Sequence, residues 1–427
     1  MTYEQTLDKI HSLDKFGSRP GLSRIAMLFD MLGDNLLEQR FIHVAGTNGK
    51  GSTCQMISRV LTQSGLKTGL FISPYITDFR ERIQINNEMI EKSELCDAVT
   101  HLTPMIDELN EQGVIITEFE FLTAVAFYIF KKNECDIIVC ETGLGGLLDS
   151  TNLIKNPLCC VLTRIDLDHT AILGDTIELV TEQKCGIIKE NSITVSSIQN
   201  ETSSRIIEQT AKDKNNKLYK ALDIEFSDIK SSINGCEFVY DNEKFSIPLI
   251  GEHQIENAKT AIATLKALKE NAVIDFTNEH LKNGLKKALN PARFELMSES
   301  PLVILDGAHN VNGMTAFKNA VEKHSQGRRA LLLGMLSDKD VDTSLSLLEG
   351  MFDVAVVTDV PNPRNMDCYE LCDICKKYFD KVVVCSNPES AFDLAYSVTK
   401  DNDMSLFICG SLYLAGELRP YIVQKLS

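Results

Sequence analysis

The sequence predicts an α/β protein of two units, each a mainly parallel sheet wrapped by helices. Three observations predict it. Apolar strands alternate with helical patterns through about residue 200, which is how βαβ units and a largely parallel sheet read in sequence. The same alternation restarts after Asn290-Pro291. Between the two, residues 217–250 carry short β-rich pieces around Asn234-Gly235 and Asp241-Asn242, which read as the turns of a small antiparallel insertion.

Taken in order, the first unit has apolar strands at 41–45, 68–72, 136–140, 159–163 and 193–196. The insertion follows, then a helix over 257–269 with Ala258, Ala261, Leu265 and Leu268 on one side. The second unit has strands at 302–305, 330–333, 354–358, 381–385 and 405–409. The proline places the boundary within 288–296, dividing the chain into 1–290 and 291–427. Ligand sites in such folds gather at the C-terminal ends of strands, so a cleft between the units is the expected active site.

Length and composition bound the function. A chain of 427 residues with 44% hydrophobic and 24% charged residues suits a soluble protein with sizeable cores. Its formal charge of −17 argues against nucleic acid or an anionic membrane as partner, because both reward a basic surface. No apolar run is long enough for a transmembrane span, and Met1-Thr2-Tyr3-Glu4-Gln5 does not read as a signal peptide. Thirteen cysteines, several inside apolar strands, predict reduced buried thiols and a cytoplasmic location. Cys368, Cys372 and Cys375 have a spacing that can hold an iron–sulfur cluster; the same spacing puts them on one face of a helix, which we read as packing.

The strongest chemical signal is Gly46-Thr47-Asn48-Gly49-Lys50-Gly51-Ser52, between the strand at 41–45 and an amphipathic run with Met56, Ile57, Val60 and Leu61. Strand, glycine-rich loop and helix is the layout in which backbone N–H groups and a helix N-terminus cradle phosphates. Lys50 would bring a point charge to the β/γ-phosphates of a nucleoside triphosphate, and the Ser52 hydroxyl could ligate Mg2+. The loop departs from the usual pattern: Val44 stands where an earlier glycine is expected, and Gly51 separates Lys50 from Ser52.

Further polar groups follow other strands. Glu141, at the head of Glu141-Thr142-Gly143-Leu144-Gly145-Gly146, is a natural Mg2+ ligand. Ser73, after the strand at 68–72, is a second hard-metal candidate. His169, in Asp166-Leu167-Asp168-His169, could be base, ligand or hydrogen-bond partner. Asp306-Gly307-Ala308-His309-Asn310 ends the first strand of the second unit, and Arg293 sits where it could reach phosphates.

Together these residues resemble the folylpolyglutamate synthase/dihydrofolate synthase family, within the Mur-type amide ligases. The resemblance runs through 43–52, 71–83 (FISPYITDFRERI), 117–120, 141–152 (ETGLGGLLDSTN), 168–174 (DHTAILG), 182–189 (EQKCGIIK), 253–258 (HQIENA), 291–295 (PARFE) and 306–310 (DGAHN). It implies an N-terminal P-loop-type ATPase domain that also binds a pterin, and a C-terminal Rossmann-like ligase domain. It implies a monomeric ATP-dependent ligase joining L-glutamate to dihydropteroate or a reduced folate through an acyl phosphate. The implied cofactors are two Mg2+ ions, with a monovalent cation as a further candidate.

The resemblance also assigns residues. Asn48, Gly49, Lys50, Gly51 and Ser52 hold ATP from the loop; Asn257, Arg293, Asp306 and His309 hold it from elsewhere. Ser52, Ser73, Glu141 and His169 correspond to the metal site. Lys184 matches a lysine that is carbamylated, and with Lys50, Glu141 and His169 completes the catalytic set. Thr117, Glu118, Phe119 and Leu148 match the pterin pocket, with Phe119 offering a ring to stack. Arg80 and Arg82 are candidates for a glutamate carboxylate.

Three departures stand out. Leu147 replaces the arginine usual in GGRLD, Asn290-Pro291-Ala292-Arg293 replaces Trp-Pro-Gly-Arg, and Asp166 replaces a small residue, either as a metal-side carboxylate or as a turn cap. The competing readings are a Mur-type ligase for another carboxylate, and a nucleotide-binding relative without activity.

Overall fold

The computed structural model describes residues 1–13, 21–33 and 35–426. Among these, seventeen strands form three sheets. The first contains β1 (Phe41–Ala45), β2 (Thr68–Phe71), β3 (Ile83–Ile85), β4 (Glu88–Met89), β5 (Ile137–Glu141), β6 (Cys159–Leu162), β7 (Ile193–Ser196) and β8 (Lys217–Lys220). Their spatial order is β4-β3-β2-β5-β1-β6-β7-β8; all pairs are parallel except β2–β3 and β3–β4. Parallel strands buried on both faces read as continuous apolar runs, which is why β1, β5 and β6 were legible.

The insertion is an antiparallel sheet of β9 (Ser227–Ser232), β10 (Gly235–Tyr240) and β11 (Glu243–Ile247), with its turns at the two expected places. It begins later than its sequence suggests. Residues from Lys217 form β8, which extends the large sheet in parallel beside β7. β8 is an edge strand with no fully buried position, so its pattern carries little signal.

The third sheet holds β12 (Glu295–Glu299), β13 (Leu302–Leu305), β14 (Arg329–Leu333), β15 (Val354–Val357), β16 (Val382–Val384) and β17 (Ser405–Cys409), in the order β12-β13-β17-β14-β15-β16. Only β12 is antiparallel; its half-exposed side chains hid it from the sequence pattern. The helix expected from Asn257 begins at Glu252, because its first turn is polar and gave no apolar period.

One core lies between the first sheet and the helices Lys50–Gln63 and Glu252–Glu270. A second fills the opposite face under the helices Lys92–Glu111 and Glu118–Lys132. Both faces of the third sheet are likewise covered. Cys368, Cys372 and Cys375 lie buried on the helix Cys368–Cys375, and burial pushes the Cys375 thiol up to about 12. Among the described residues no helix is long and apolar enough to cross a membrane. The ends of β1, β2, β5, β6 and β13 and the loops that follow them carry most of the residues described below.

Candidate active site

β1 ends at Ala45 and the chain turns through the glycine-rich loop into the helix Lys50–Gln63. Gly49 has φ of 84°, a left-handed conformation, and an added Cβ would lie 2.1 Å from Asn257 Oδ1. Only glycine accepts both constraints without strain. The loop is strapped to the segment after β6. The Thr47 and Asn48 N–H groups donate to the Arg164 carbonyl at 2.9 and 3.1 Å, and the Thr47 hydroxyl donates to the Asp166 carbonyl at 2.8 Å. Asn48 Nδ2 donates to Asp166 Oδ2 at 3.4 Å. Asp166 thus pins the phosphate loop.

Two lysines meet at one carbonyl. Lys50 Nζ donates to the Gly46 carbonyl at 3.1 Å, and Lys184 Nζ, from the helix Ile177–Cys185, donates to the same oxygen at 3.0 Å. Lys50 has a counter-ion, Glu141 Oε1, at 3.8 Å. Lys184 is only 3% exposed and makes no ion pair with a described residue. Burial first, and the neighbouring Lys50 second, bring its pKa down to about 7. A lysine in that state holds a neutral, nucleophilic amine through much of the physiological range.

Glu141 closes β5 and is buried. Burial raises its pKa, while Lys50, the Ser73 N–H and Arg293 act the other way. The Ser73 N–H donates to Glu141 Oε2 at 3.1 Å, which puts Ser73 beside that carboxylate. Near the same point of Gly51, Asn290 Nδ2 donates to Ser52 Oγ at 2.8 Å. Glu141, Ser52 and Ser73 supply oxygen donors, which suits a hard cation such as Mg2+. Among the described residues no group of three His, Cys, Asp or Glu could cage a metal ion. Mg2+ fits such a site well, since it keeps several waters and binds through one or two carboxylates plus phosphates.

His169 stands at the edge of this group. It has φ of 48°, its side chain is half exposed, and Nε2 is 3.8 Å from Asp168 Oδ2. Burial lowers its pKa, and Lys50, Lys184 and Lys339 are all within electrostatic reach of it.

From the third sheet, Asp306 follows β13 with both carboxylate oxygens occupied: they accept from the Phe294 and Ala308 N–H groups at 2.6 Å each. In this conformation Asp306 clamps the linker. His309 Nδ1 lies 2.8 Å from the Gly307 carbonyl, so Nδ1 carries the proton and Nε2 is the acceptor. Arg293 makes no ion pair with a described residue and lies within electrostatic reach of Glu141, His253, Asp306 and His309. Asn257 Nδ2 donates to Gln254 Oε1 at 3.0 Å while its Oδ1 faces Gly49.

The expected substrate residues divide. Thr117 caps the helix Glu118–Lys132: its hydroxyl and N–H engage Glu120, which Arg24 also holds at 2.9 Å. Glu118 lies 3.5 Å from His11. Phe119 packs between the Phe71 ring, 5.8 Å away, and the Gly143 backbone. Arg80 is tied to Asp78 by two bonds of 3.0 and 2.8 Å and to the Ile90 carbonyl, so it is committed to its own turn. Arg82 differs. It stacks over Tyr75 and Phe79, faces Glu118 and Tyr413, and its Nε is buried with no hydrogen-bond partner among the described residues. Leu147 and Leu148 are both exposed, 44% and 43%, at the tip of the turn after Gly146. That turn is held by Leu147 N–H to the Gln183 carbonyl at 2.7 Å and by Asn152 to the Leu147 carbonyl at 2.9 Å.

Some contributors escaped the sequence. Asn290 reads there as a loop residue. Asp149 accepts from Leu144 N–H at 2.8 Å and from the Thr151 hydroxyl at 2.5 Å, and Thr151 meets buried His43 Nε2 at 2.8 Å. These polar groups sit inside apolar surroundings, where only the fold shows what they touch.

Known proteins share the sequence and architecture of this chain. Residues 44–265 match the Mur ligase middle domain, and residues 292–412 match the Mur ligase, glutamate ligase domain. The chain is 33% identical over 432 residues to the dihydrofolate synthase/folylpolyglutamate synthase of Bacillus subtilis, covering 98% of each. It is 32% identical over 425 residues to the dihydrofolate synthetase of Saccharomyces cerevisiae, covering 93% of this chain and 96% of that one. A Mycobacterium tuberculosis folylpolyglutamate synthase complexed with ADP and AMPPCP superposes with a TM-score of 0.87 at 30% identity, covering 98% and 99%. An FPGS–AMPPCP–folate complex superposes with a TM-score of 0.85 at 32% identity over the whole of both chains. The chain therefore belongs to the folylpolyglutamate synthase/dihydrofolate synthase family of ATP-dependent ligases.

Proposed function

We propose that this protein joins the α-amine of L-glutamate to the carboxylate of dihydropteroate, of a reduced folate, or of both, with hydrolysis of ATP to ADP and phosphate. The observation that carries the reading is the convergence of Lys50, Lys184, Ser52 and Glu141 around a phosphate loop. A free carboxylate is a poor electrophile, so it must first gain a leaving group. Its oxygen attacks the γ-phosphorus of ATP, ADP departs, and an acyl phosphate forms. The glutamate amine then attacks the acyl carbon, and phosphate leaves the tetrahedral intermediate.

Phosphoryl transfer asks the protein mainly for position and charge. Lys50 and the N–H groups opening the helix Lys50–Gln63 meet the β/γ-phosphates. Mg2+, held through Ser52 and Glu141 with Ser73 and His169 nearby, would neutralise charge on the transferring group. Arg293 and His309 approach from the third sheet. Arg82, rather than Arg80, is the guanidinium left without a carboxylate hydrogen bond of its own among the described residues, and so the one for a substrate carboxylate. Leu148 and Phe119 flank the pterin pocket. We also propose that the neutral Lys184 amine takes up CO2, forming an N–C bond and releasing a proton. That turns the side chain into an anionic carbamate beside the metal site.

The two-unit division at Asn290-Pro291 is supported by the separate sheets on either side of it. We take the working unit to be one chain in a reducing cytoplasm, a reading supported by the thirteen free cysteines.

The test is phosphate release from MgATP with L-glutamate, comparing dihydropteroate with tetrahydrofolate and weighing the products by mass. Glutamylated product from the first alone makes the protein a dihydrofolate synthase, and from the second alone a polyglutamate synthase. Product from both makes it bifunctional; product from neither refutes the reading.

A further inference from the structure

The Ser52 hydroxyl, in the helix that opens the phosphate loop, is held by a residue 238 positions away in the chain. Asn290 Nδ2 reaches it at 2.8 Å. A Cβ added at Gly51 would lie 3.8 Å from Glu141 Oε2 and 3.9 Å from Asn290 Nδ2, so the Asn290 amide and the Glu141 carboxylate flank the same point. Asn290 therefore borders the pocket formed by Ser52 and Glu141.

The segment after Asn290 is stiff. Pro291 has its φ fixed, and it restricts the backbone of Asn290 as well. Immediately afterwards the chain is fastened to the third sheet. Ala292 N–H donates to Glu295 Oε2 at 2.9 Å, Gly307 N–H donates to the Ala292 carbonyl at 2.8 Å, and Phe294 N–H donates to Asp306 at 2.6 Å. Glu295 is itself gripped by the Arg419 guanidinium at 2.7 Å. Between these fastenings lies Arg293, without an ion-pair partner among the described residues and within electrostatic reach of Glu141, Asp306 and His309.

We propose that Asn290 is a positioning residue that couples the metal–phosphate pocket to the linker, so that the state of the Ser52 hydroxyl sets where Arg293 stands. The amide of Asn290 orients the Ser52 oxygen by donating to one lone pair and leaves the other for a cation. The short, stiff segment carries any displacement of that oxygen to the Arg293 backbone, because Pro291 and the fastened Ala292 allow little slack. A ligand that engages Ser52 thereby also selects the Arg293 position suited to its phosphates. This inference rests on the reading of Ser52 as a metal-side residue.

The experiment is calorimetric titration of the full chain with ATP, in the presence of Mg2+ and with the metal chelated. The proteins are wild type, N290A, the near-isosteric N290L, R293A and N290A/R293A, each checked for wild-type melting before use. Losing one hydrogen bond that orients a ligating oxygen should weaken MgATP binding about five- to tenfold in both Asn290 variants, while metal-free ATP shifts less than about twofold. The loss from R293A should shrink in the N290A background, since coupled residues are non-additive. Equal weakening with and without metal, unchanged binding, or additive effects of the two substitutions would each overturn the coupling. N290L keeps the volume of the side chain, so it carries the test if N290A proves unstable. A wild-type chain that gains nothing from Mg2+ overturns the metal-side reading and this inference with it. A Mg2+-dependent wild type with indifferent Asn290 variants overturns this inference alone.

Discussion

Replacing Lys184 by methionine should make the ligand-free protein more stable and its activity negligible. Methionine keeps the length and flexibility of the stem and removes the amine. The magnitude follows from the burial of Lys184, whose pKa of about 7 in the fold compares with 10.5 for an ordinary lysine. Each tenfold in that protonation equilibrium is worth about 1.4 kcal/mol, so housing the protonated amine costs roughly 5 kcal/mol below pH 7. At pH 7 about half of the folded molecules have shed the proton, and the cost is about 4 kcal/mol. The lost hydrogen bond to the Gly46 carbonyl takes back about 1 kcal/mol at most, because Lys50 still donates to that oxygen.

The sign with pH is definite. Between about pH 7 and 10.5 the unfolded chain binds a proton at Lys184 that the folded chain does not, so wild-type stability rises with pH across that window. The methionine variant lacks this contribution, and its advantage should fall to about 1 kcal/mol near pH 10. Scanning calorimetry in CO2-free buffer at pH 7 and pH 10 reads it as a gain in melting temperature on the order of 5 °C at the lower pH, mostly lost at the higher. A variant that melts no higher than wild type at pH 7, or with an equal gap at both pH values, would refute the account of a buried, depressed amine.

Three further substitutions probe other joints of the site. Gly49→Ala puts a Cβ at left-handed φ and against Asn257, and should weaken ATP binding more than tenfold by titration calorimetry, on the order of the 1.4 kcal/mol or more that such strain costs. Ala292→Gly relieves a φ of 54° in the linker and should raise stability by up to about 1 kcal/mol, read as a small increase in melting temperature; a decrease would show that unfolded-state entropy outweighs the relief. Leu147→Arg restores a cation on the exposed turn and should change the Michaelis constant for the pterin substrate more than that for ATP; an unmoved pterin constant would show that position 147 does not face the pocket.

The parts of the fold that were legible in sequence are those where one physical rule dominates. Strands β1, β5 and β6 are buried on both faces, so apolar residues dominate them. The insertion's turns at Asn234-Gly235 and Asp241-Asn242 follow from residues that tolerate positive φ. The illegible parts have mixed exposure: β8 and β12 lie at sheet edges, and the first turn of the helix Glu252–Glu270 is polar. The site divides in the same way. Lys50, Ser52 and Glu141 stand at strand or helix ends, where local sequence announces them. Arg80 and Arg82 look alike in sequence, and only the fold shows that Asp78 occupies the first while the buried Nε of the second has no hydrogen-bond partner among the described residues. Asn290 stood out only as the linker residue that replaces a tryptophan; its contact with Ser52 could not be read, because that partner is in a different element far away in the chain.

The division of labour between the two lysines follows from one carbonyl. Lys50 and Lys184 both point at Gly46, and two ammonium groups so close repel. Burial first, and that repulsion second, disfavour the charged form at the amine with less compensation. Lys50 has Glu141 at 3.8 Å and opens onto the loop, so it is the one suited to meet phosphates as a cation. Lys184 is buried, and it has no such partner among the described residues. Lys184 is therefore the amine that sheds its proton more readily. The proposed carbamate then needs no special reagent: a neutral amine is already in place, and the charge it would acquire faces Lys50. A buried lysine that is costly to the apo fold becomes, once it carries an anion, a counter-charge for the cation beside it.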